Sequence, residues 1–190
     1  ESVTNTVKDL AVRVQRILGI ADDCLGKAQA VEDQFKVEKR EIDLRQEVIE
    51  PILEELSSEI ANRNITIDNR LGAIPTGSII IQASKIWIKS VFRNLFMNAI
   101  KYGGDGITLA YGYEDHGNFY KLCIYNNGPV IPQEKRDALF TKFGKVDSTS
   151  TQEGVGMGLF LTKEIINQHG GEIWYEEMEK GGAFFFTLPK

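Results

Sequence analysis

The chain of 190 residues is poor in cysteine, holding only Cys24 and Cys123. Both stand on apolar-patterned segments and neither has CxxC or Cys/His spacing, so they read as core fillers in a reducing compartment, not as a disulfide or a metal site. No apolar run reaches the roughly 18 residues that would span a membrane, and no signal-peptide pattern occurs, so no membrane contact is expected of this chain. A surplus of positive charge is also missing. The formal net charge of −5 argues against a nucleic-acid-binding surface. There is no Gly-Lys-Ser/Thr to make a P-loop, no internal repeat and no low-complexity tract. Together these features point to a cytoplasmic protein. The chain opens on Glu1 instead of methionine, so it is expected to be a piece of a longer protein, in which a membrane anchor could lie upstream.

What is there is an ordinary globular composition, 42% hydrophobic and 26% charged, enough for one sizeable core with a helical appendage. The appendage comes first. Val3, Val7, Leu10, Val14, Ile17, Ala21, Cys24, Ala28, Val31 and Phe35 alternate in steps of four and three, which puts a narrow seam along one side of a long helix that wants a partner helix. Gly19 and Gly26 fall off the seam, each costing roughly 1 kcal/mol of helix propensity. A second helix follows the capping-box pair Asp43 and Gln46, with Val48, Ile49, Ile52, Leu53, Leu56 and Ile60 on one face and a kink or restart at Pro51.

Beyond it, Ile65 and Ile67 alternate as a strand, residues 72–78 form a loop, and residues 79–81 read as another strand. Ser84 stands as the N-cap of a strong helix over residues 85–101. Residues 107–113 and 119–125 form a hairpin, residues 132–140 a short helix, residues 160–169 an amphipathic helix, and residues 172–176 and 183–188 two further strands. The fold class expected is α+β: a two-layer α/β sandwich, its mixed sheet covered by helices on one face, plus the N-terminal coiled-coil-like helix. The domains divide as residues 1–36 and 37–190.

Three stretches carry chemistry. In EGVGMGL, residues 153–159, glycines alternate at Gly154, Gly156 and Gly158 before a helix, leaving backbone N–H groups bare near the helix's positive end. That suits a polyphosphate, though a flexible loop and cap would look alike; Leu159 stands where a dinucleotide fingerprint needs glycine. In NLFMNAIKY, residues 94–102, Asn94, Asn98, Lys101 and Tyr102 fall near one side of an otherwise apolar helix. Amides there need partners, because an unpaired buried amide costs a few kcal/mol; a ligand or a helix contact would serve. Asparagine oxygen is a hard donor suited to Mg²⁺. In NNGPVIP, residues 126–132, a tight turn directly follows a strand.

In that order and spacing the three stretches, with LFTKF at residues 139–143 and the Gly181-Gly182-Ala183 run, resemble the ATP-binding domain of sensor histidine kinases, within the fold shared with gyrase, heat-shock protein 90 and mismatch-repair ATPases. The resemblance covers residues 36–190. It implies that Asn98 holds Mg²⁺, that Asn94 and Lys101 approach the phosphates as the catalytic pair, and that Tyr102 flanks the nucleotide. Asn126 would read the adenine amino group, with Gly128 and Ile131 in the same turn. A lid over residues 140–151 would be anchored by Phe140 and Phe143 and would offer Lys145 to a phosphate, while Gly154, Val155, Gly156, Met157, Gly158 and Leu159 wrap the triphosphate. The implied ligands are ATP or ADP with Mg²⁺; the implied partners are a phosphoacceptor-histidine helix upstream in the same parent, a response regulator and a second copy of the chain.

Two positions depart from the family pattern. Asn126 replaces its usual aspartate, keeping an acceptor oxygen but losing the charge, and Val130 replaces a glycine. A β-branched residue tolerates positive φ poorly, so the turn is expected to differ there. The related hydrolases carry a glutamate one helical turn before the metal asparagine, where this chain has Asn94; without a general base, water is poorly activated, which favours phosphoryl donation over hydrolysis. A degenerate nucleotide-binding or partner-docking module is the alternative. The chain has only His116 and His169, and neither sits in an acceptor-like motif, so no autophosphorylation is expected of this chain alone. The heptad helix resembles the second helix of the family's dimerisation hairpin.

Overall fold

The computed structural model describes residues 38–68, 78–141 and 157–190. The heptad helix, the loop after residue 68 and most of the lid lie outside the described residues. Within them the chain runs β1 (Arg40–Asp43), a π-helical turn (Arg45–Ile49) opening α1 (Glu50–Glu55), α2 (Ser57–Asn62), β2 (Thr66–Asp68), β3 (Ile80–Ala83) and α3 (Lys85–Gly103). It continues through β4 (Thr108–Asp115), β5 (Phe119–Asn126), α4 (Gln133–Arg136), α5 (Gly158–Gln168), β6 (Ile173–Glu177) and β7 (Gly182–Pro189).

The main sheet has the order β2-β4-β5-β7-β6, with β2 parallel to β4 and every other pair antiparallel; β1 and β3 form a separate antiparallel pair. This is the mixed sheet expected of an α+β sandwich. Strand alternation sends Leu122 and Ile124 of β5 and Phe184, Phe186 and Leu188 of β7 to one face, where all are buried. Onto it α3 sets Ile88, Val91, Phe92, Leu95, Phe96, Ala99 and Ile100. Phe92 meets Phe186 edge-on at 5.3 Å and Phe96 meets Tyr111 at 5.7 Å. Each such side chain contributes about 1.5–3 kcal/mol on burial.

Several boundaries differ from expectation. The second helix restarts at Pro51 as expected, the proline sitting in the first turn of α1, but it breaks a second time at Leu56, which was not expected. Its cap is built differently too: Asp43 Oδ1 accepts from the N–H groups of Arg45 and Gln46, but the reciprocal bond to Asp43 N–H comes from Glu47, not Gln46. Glu47 also bonds Arg40 and Lys85, and these partners hold its carboxyl down at about 2. The helix expected over residues 132–140 closes after one turn. Helix α5 begins two residues early, which draws Gly158 out of the loop and into the first helical turn.

Candidate functional site

The site is assembled along one strip of α3. Positions 94, 98 and 101 follow at steps of four and three, so Asn94, Asn98 and Lys101 line one side of the helix, bordering its buried face; all three are half-buried. Tyr102 follows, half exposed at 51%. Lys101 Nζ lies 5.0 Å from the Tyr102 ring centroid, a cation–π contact.

At one end of the strip stands the head of α5. Gly158 is so close to Asn94 that a methyl group there would strike Asn94 Oδ1 and lie 3.1 Å from its Cγ. Asn94 Nδ2 donates to Thr162 Oγ1 at 2.9 Å, and Thr162 is only 1% exposed. Met157 is the residue before the helix, and Leu159 packs half-buried against the core. Phe143, Lys145, Gly154, Val155 and Gly156 lie outside the described residues.

The other end of the strip meets the turn after β5. Asn126 is opposite Leu109 and Gly182 and points to the helix-covered face of the sheet, the side of Leu122 and Ile124. Its neighbour Asn127 is spent on structure: Oδ1 accepts from Thr108 N–H at 2.7 Å and its own N–H donates to Thr108 O at 3.1 Å, stitching β5 to β4. The two adjacent asparagines are thereby told apart. Gly128 fits because nothing larger does: a methyl there would lie 2.6 Å from Gly103 Cα and 2.9 Å from Asn126 Nδ2. The backbone at Val130 is not left-handed, so a β-branched residue is accommodated there without strain, 39% exposed.

Ile131 is held from both sides, its N–H donating to Tyr175 Oη at 3.1 Å and its carbonyl accepting from Arg136 Nε at 2.9 Å. Tyr175 packs edge-on against Phe184, and Phe140 meets Phe184 from another side at 6.2 Å with its rings near perpendicular, so the first residues of the expected lid are anchored on β7. Thr162, Tyr175 and Arg136 are supports that the sequence reading missed. None of the three had a signal in the local sequence: even Tyr175 is set beside Phe184 only by the pairing of β6 with β7, which no local pattern states.

The tail of α5 is also fixed. His169, 3% exposed, donates through Nδ1–H to Ile165 O at 2.7 Å and accepts at Nε2 from Ser84 N–H at 3.1 Å. Ser84 therefore occupies the cap position of α3, but no side-chain cap bond is made there; the imidazole takes its N–H instead. Burial pushes the His169 pKa down, with the Lys39 charge adding to that, so the ring is held neutral. The other histidine, His116, stacks on Phe119 and faces Glu114 in the hairpin turn.

No group of three or more His, Cys, Asp or Glu side chains placed to hold a metal occurs among the described residues. The donor set on α3 is instead amide oxygen, which fits Mg²⁺ arriving with substrate phosphates and most of its water, and not a cation held by protein carboxylates. No helix among the described residues is long and apolar enough to cross a membrane.

Residues 83–190 match the family model of the histidine kinase-, DNA gyrase B-, and HSP90-like ATPase. The adaptive-response sensory kinase SasA of Synechocystis is 33% identical over 177 residues, which is 90% of this chain and 44% of SasA. The sensor histidine kinase WalK of Bacillus subtilis is 30% identical over 121 residues, 61% of this chain and 20% of WalK. The chain thus spans less than half the length of these relatives. Among solved structures, the nucleotide-free catalytic domain of histidine kinase ThkA matches with a TM-score of 0.68 at 32% identity, over 80% of this chain and 96% of that domain. ThkA in complex with the response regulator TrrA matches with a TM-score of 0.72 at 25% identity, over 93% of this chain and 49% of that one. On this fold, this strip of asparagines and this family match, the chain belongs to the histidine kinase-, DNA gyrase B- and HSP90-like ATPases and carries their ATP-binding domain.

Proposed function

We propose that the chain is the Mg-ATP-binding domain of a two-component sensor histidine kinase and donates the γ-phosphoryl group to a histidine outside this chain. The observation that carries this reading is the amide strip of α3. It meets the glycine head of α5 at Asn94, and it contains no carboxylate able to activate water. Positioning and charge stabilisation are what a phosphoryl donor site needs. Asn98 is the metal-binding residue, Lys101 neutralises phosphate charge, Tyr102 flanks the nucleotide, and Asn126 accepts from the adenine amino group. Mg²⁺, when bound with the nucleotide, offsets the charge of the β- and γ-phosphates.

Neither histidine of the chain suits the acceptor role: both ring nitrogens of buried His169 are engaged, and His116 sits in the turn between β4 and β5, stacked on Phe119 and paired with Glu114, not on a helix. The acceptor is therefore assigned to a helix upstream in the parent, with residues 1–36 as its hairpin mate, pairing two copies of the chain. A response regulator then receives the phosphoryl group, as the ThkA–TrrA complex suggests for its own pair.

Calorimetric titration with Mg-ATP tests the site. Binding is expected in the wild type, and Asn98→Ala should weaken it about a hundredfold or more, roughly 2.7 kcal/mol, with an unchanged melting temperature. Equal affinity in the variant would overturn the metal assignment. Steady-state phosphate release by the chain alone, lost in Asn98→Ala, would indicate a hydrolase instead.

A further inference from the structure

The bond between helices α3 and α5 fixes more than their spacing. Thr162 is almost completely buried, and its Oγ1 accepts from Asn94 Nδ2 at 2.9 Å. Thr162 lies one turn into α5, so the amide's nitrogen end is drawn inward while Oδ1 becomes the Asn94 atom nearest to Gly158 at the helix head. A threonine hydroxyl can donate as well as accept, so this bond alone would not choose between the two ways round. The helix does choose: the positive end of α5 favours the amide's negative oxygen beside Gly158 and its NH₂ toward the hydroxyl.

We propose that Thr162 is a positioning residue that orients the Asn94 amide, so that Asn94 works in the nucleotide site as an acceptor, toward a metal-bound water, and not as a donor to phosphate oxygen. An oxygen at that position repels a bare phosphate and attracts the hydration shell that Mg²⁺ keeps on binding. Removing the Thr162 oxygen leaves a half-buried Nδ2 without its acceptor, and the amide gains by swinging or turning over to find another. The inference rests on the nucleotide-binding function proposed above.

The test compares Thr162→Val, which keeps the shape, with Thr162→Ser, which keeps the hydroxyl; Thr162→Ala accompanies them in case a second methyl beside the amide disturbs folding. Two measurements are made. In nucleotide-free protein, the ¹⁵N–¹H signals of the Asn94 side-chain amide should shift and exchange faster with solvent in the valine and alanine variants and stay near wild type in the serine variant. In titrations, Mg-ATP affinity should fall about tenfold in the valine variant, the worth of one hydrogen bond of about 1.4 kcal/mol. Affinity for ATP in EDTA should hold, and serine should restore both.

Unchanged Asn94 signals in the valine and alanine variants would overturn the positioning role. An equal loss with and without Mg²⁺ would overturn the acceptor role and mark Thr162 as merely structural. Should the wild type bind no Mg-ATP, the proposed function fails, while the amide signals still decide whether Thr162 holds Asn94.

Discussion

Helix α5 has glycines at both ends, and they serve opposite purposes. At the tail, Gly170 takes a φ of 83° and the chain closes on itself: Gly171 N–H donates to Ile166 O at 3.0 Å and Gly170 N–H to Asn167 O at 2.9 Å. This pair of bonds is a Schellman motif, which satisfies the orphan carbonyls that every helix leaves at its C-terminus. His169 then uses its two ring nitrogens inside the core. At the head no such closure occurs among the described residues. Gly158 lies bare against Asn94, and Met157 before it makes no side-chain cap. A helix end whose polar groups are satisfied internally is architecture, whereas the head, beside the strip of amides, is the end that the proposed function assigns to the nucleotide. Similar letters in the sequence, GMG and HGG, thus separate only when their hydrogen bonds are traced.

Breaking the tail should cost stability and spare binding. A methyl group at Gly171 would run into the carbonyl oxygen of Thr187, a backbone atom of β7 that cannot step aside, and would lie 2.9 Å from the Thr187 carbonyl carbon. Gly171→Ala is expected to destabilise the domain by about 2–3 kcal/mol, as overpacking in a core does, seen as a lower urea midpoint. Under native conditions the folded fraction should bind Mg-ATP as the wild type does.

Breaking the head should do the reverse. Alanine at Gly158 gains helix propensity of about 0.5–1 kcal/mol, and the atom its methyl meets belongs to the Asn94 side chain, which can move. Gly158→Ala should therefore leave the melting temperature equal or slightly raised while Mg-ATP affinity drops about tenfold, roughly 1.4 kcal/mol. Loss of stability without loss of affinity would show that the head is architectural like the tail.

The sequence made the secondary elements legible because each has a strong period: the apolar face of α3 at residues 88, 91, 92, 95, 96, 99 and 100 is the face that is buried. The hairpin of β4 and β5 was equally plain, set by alternation and a turn between. Strand order was not legible, since β7 pairs with both β5 and β6 and no local signal states this. The site residues were readable as types but not as roles. Asn126 and Asn127 are identical letters, and only the bond from Thr108 N–H to Asn127 Oδ1 shows which is structural. The serine before α3 suggested a side-chain cap because local sequence cannot reveal an imidazole arriving from 85 residues further on.

That imidazole gives the comparison its smallest and most specific test. His169 accepts the Ser84 N–H at Nε2, and protonation would set one N–H against another at 3.1 Å. Folding therefore favours the neutral ring, and the folded-state pKa lies below the ordinary 6.5 through burial first, with Lys39 assisting; the bond that Nδ1–H makes to Ile165 O opposes this without reversing it. For a group whose pKa is depressed on folding, the contribution is complete above the unfolded pKa and is lost as pH falls through the folded one. Stability should hold between pH 8 and 7 and decline below about 6.5, by up to about 1 kcal/mol, the worth of one hydrogen bond. Urea midpoints across that range would show the decline in the wild type and a flatter profile in His169→Gln, whose side chain does not titrate. Because Ser84 and His169 join the start of α3 to the tail of α5, whereas Asn94 and Thr162 join the helices at the head, nucleotide affinity should stay flat while stability declines. A parallel fall in affinity over the same pH window would mean that the two ends of α5 are not independent.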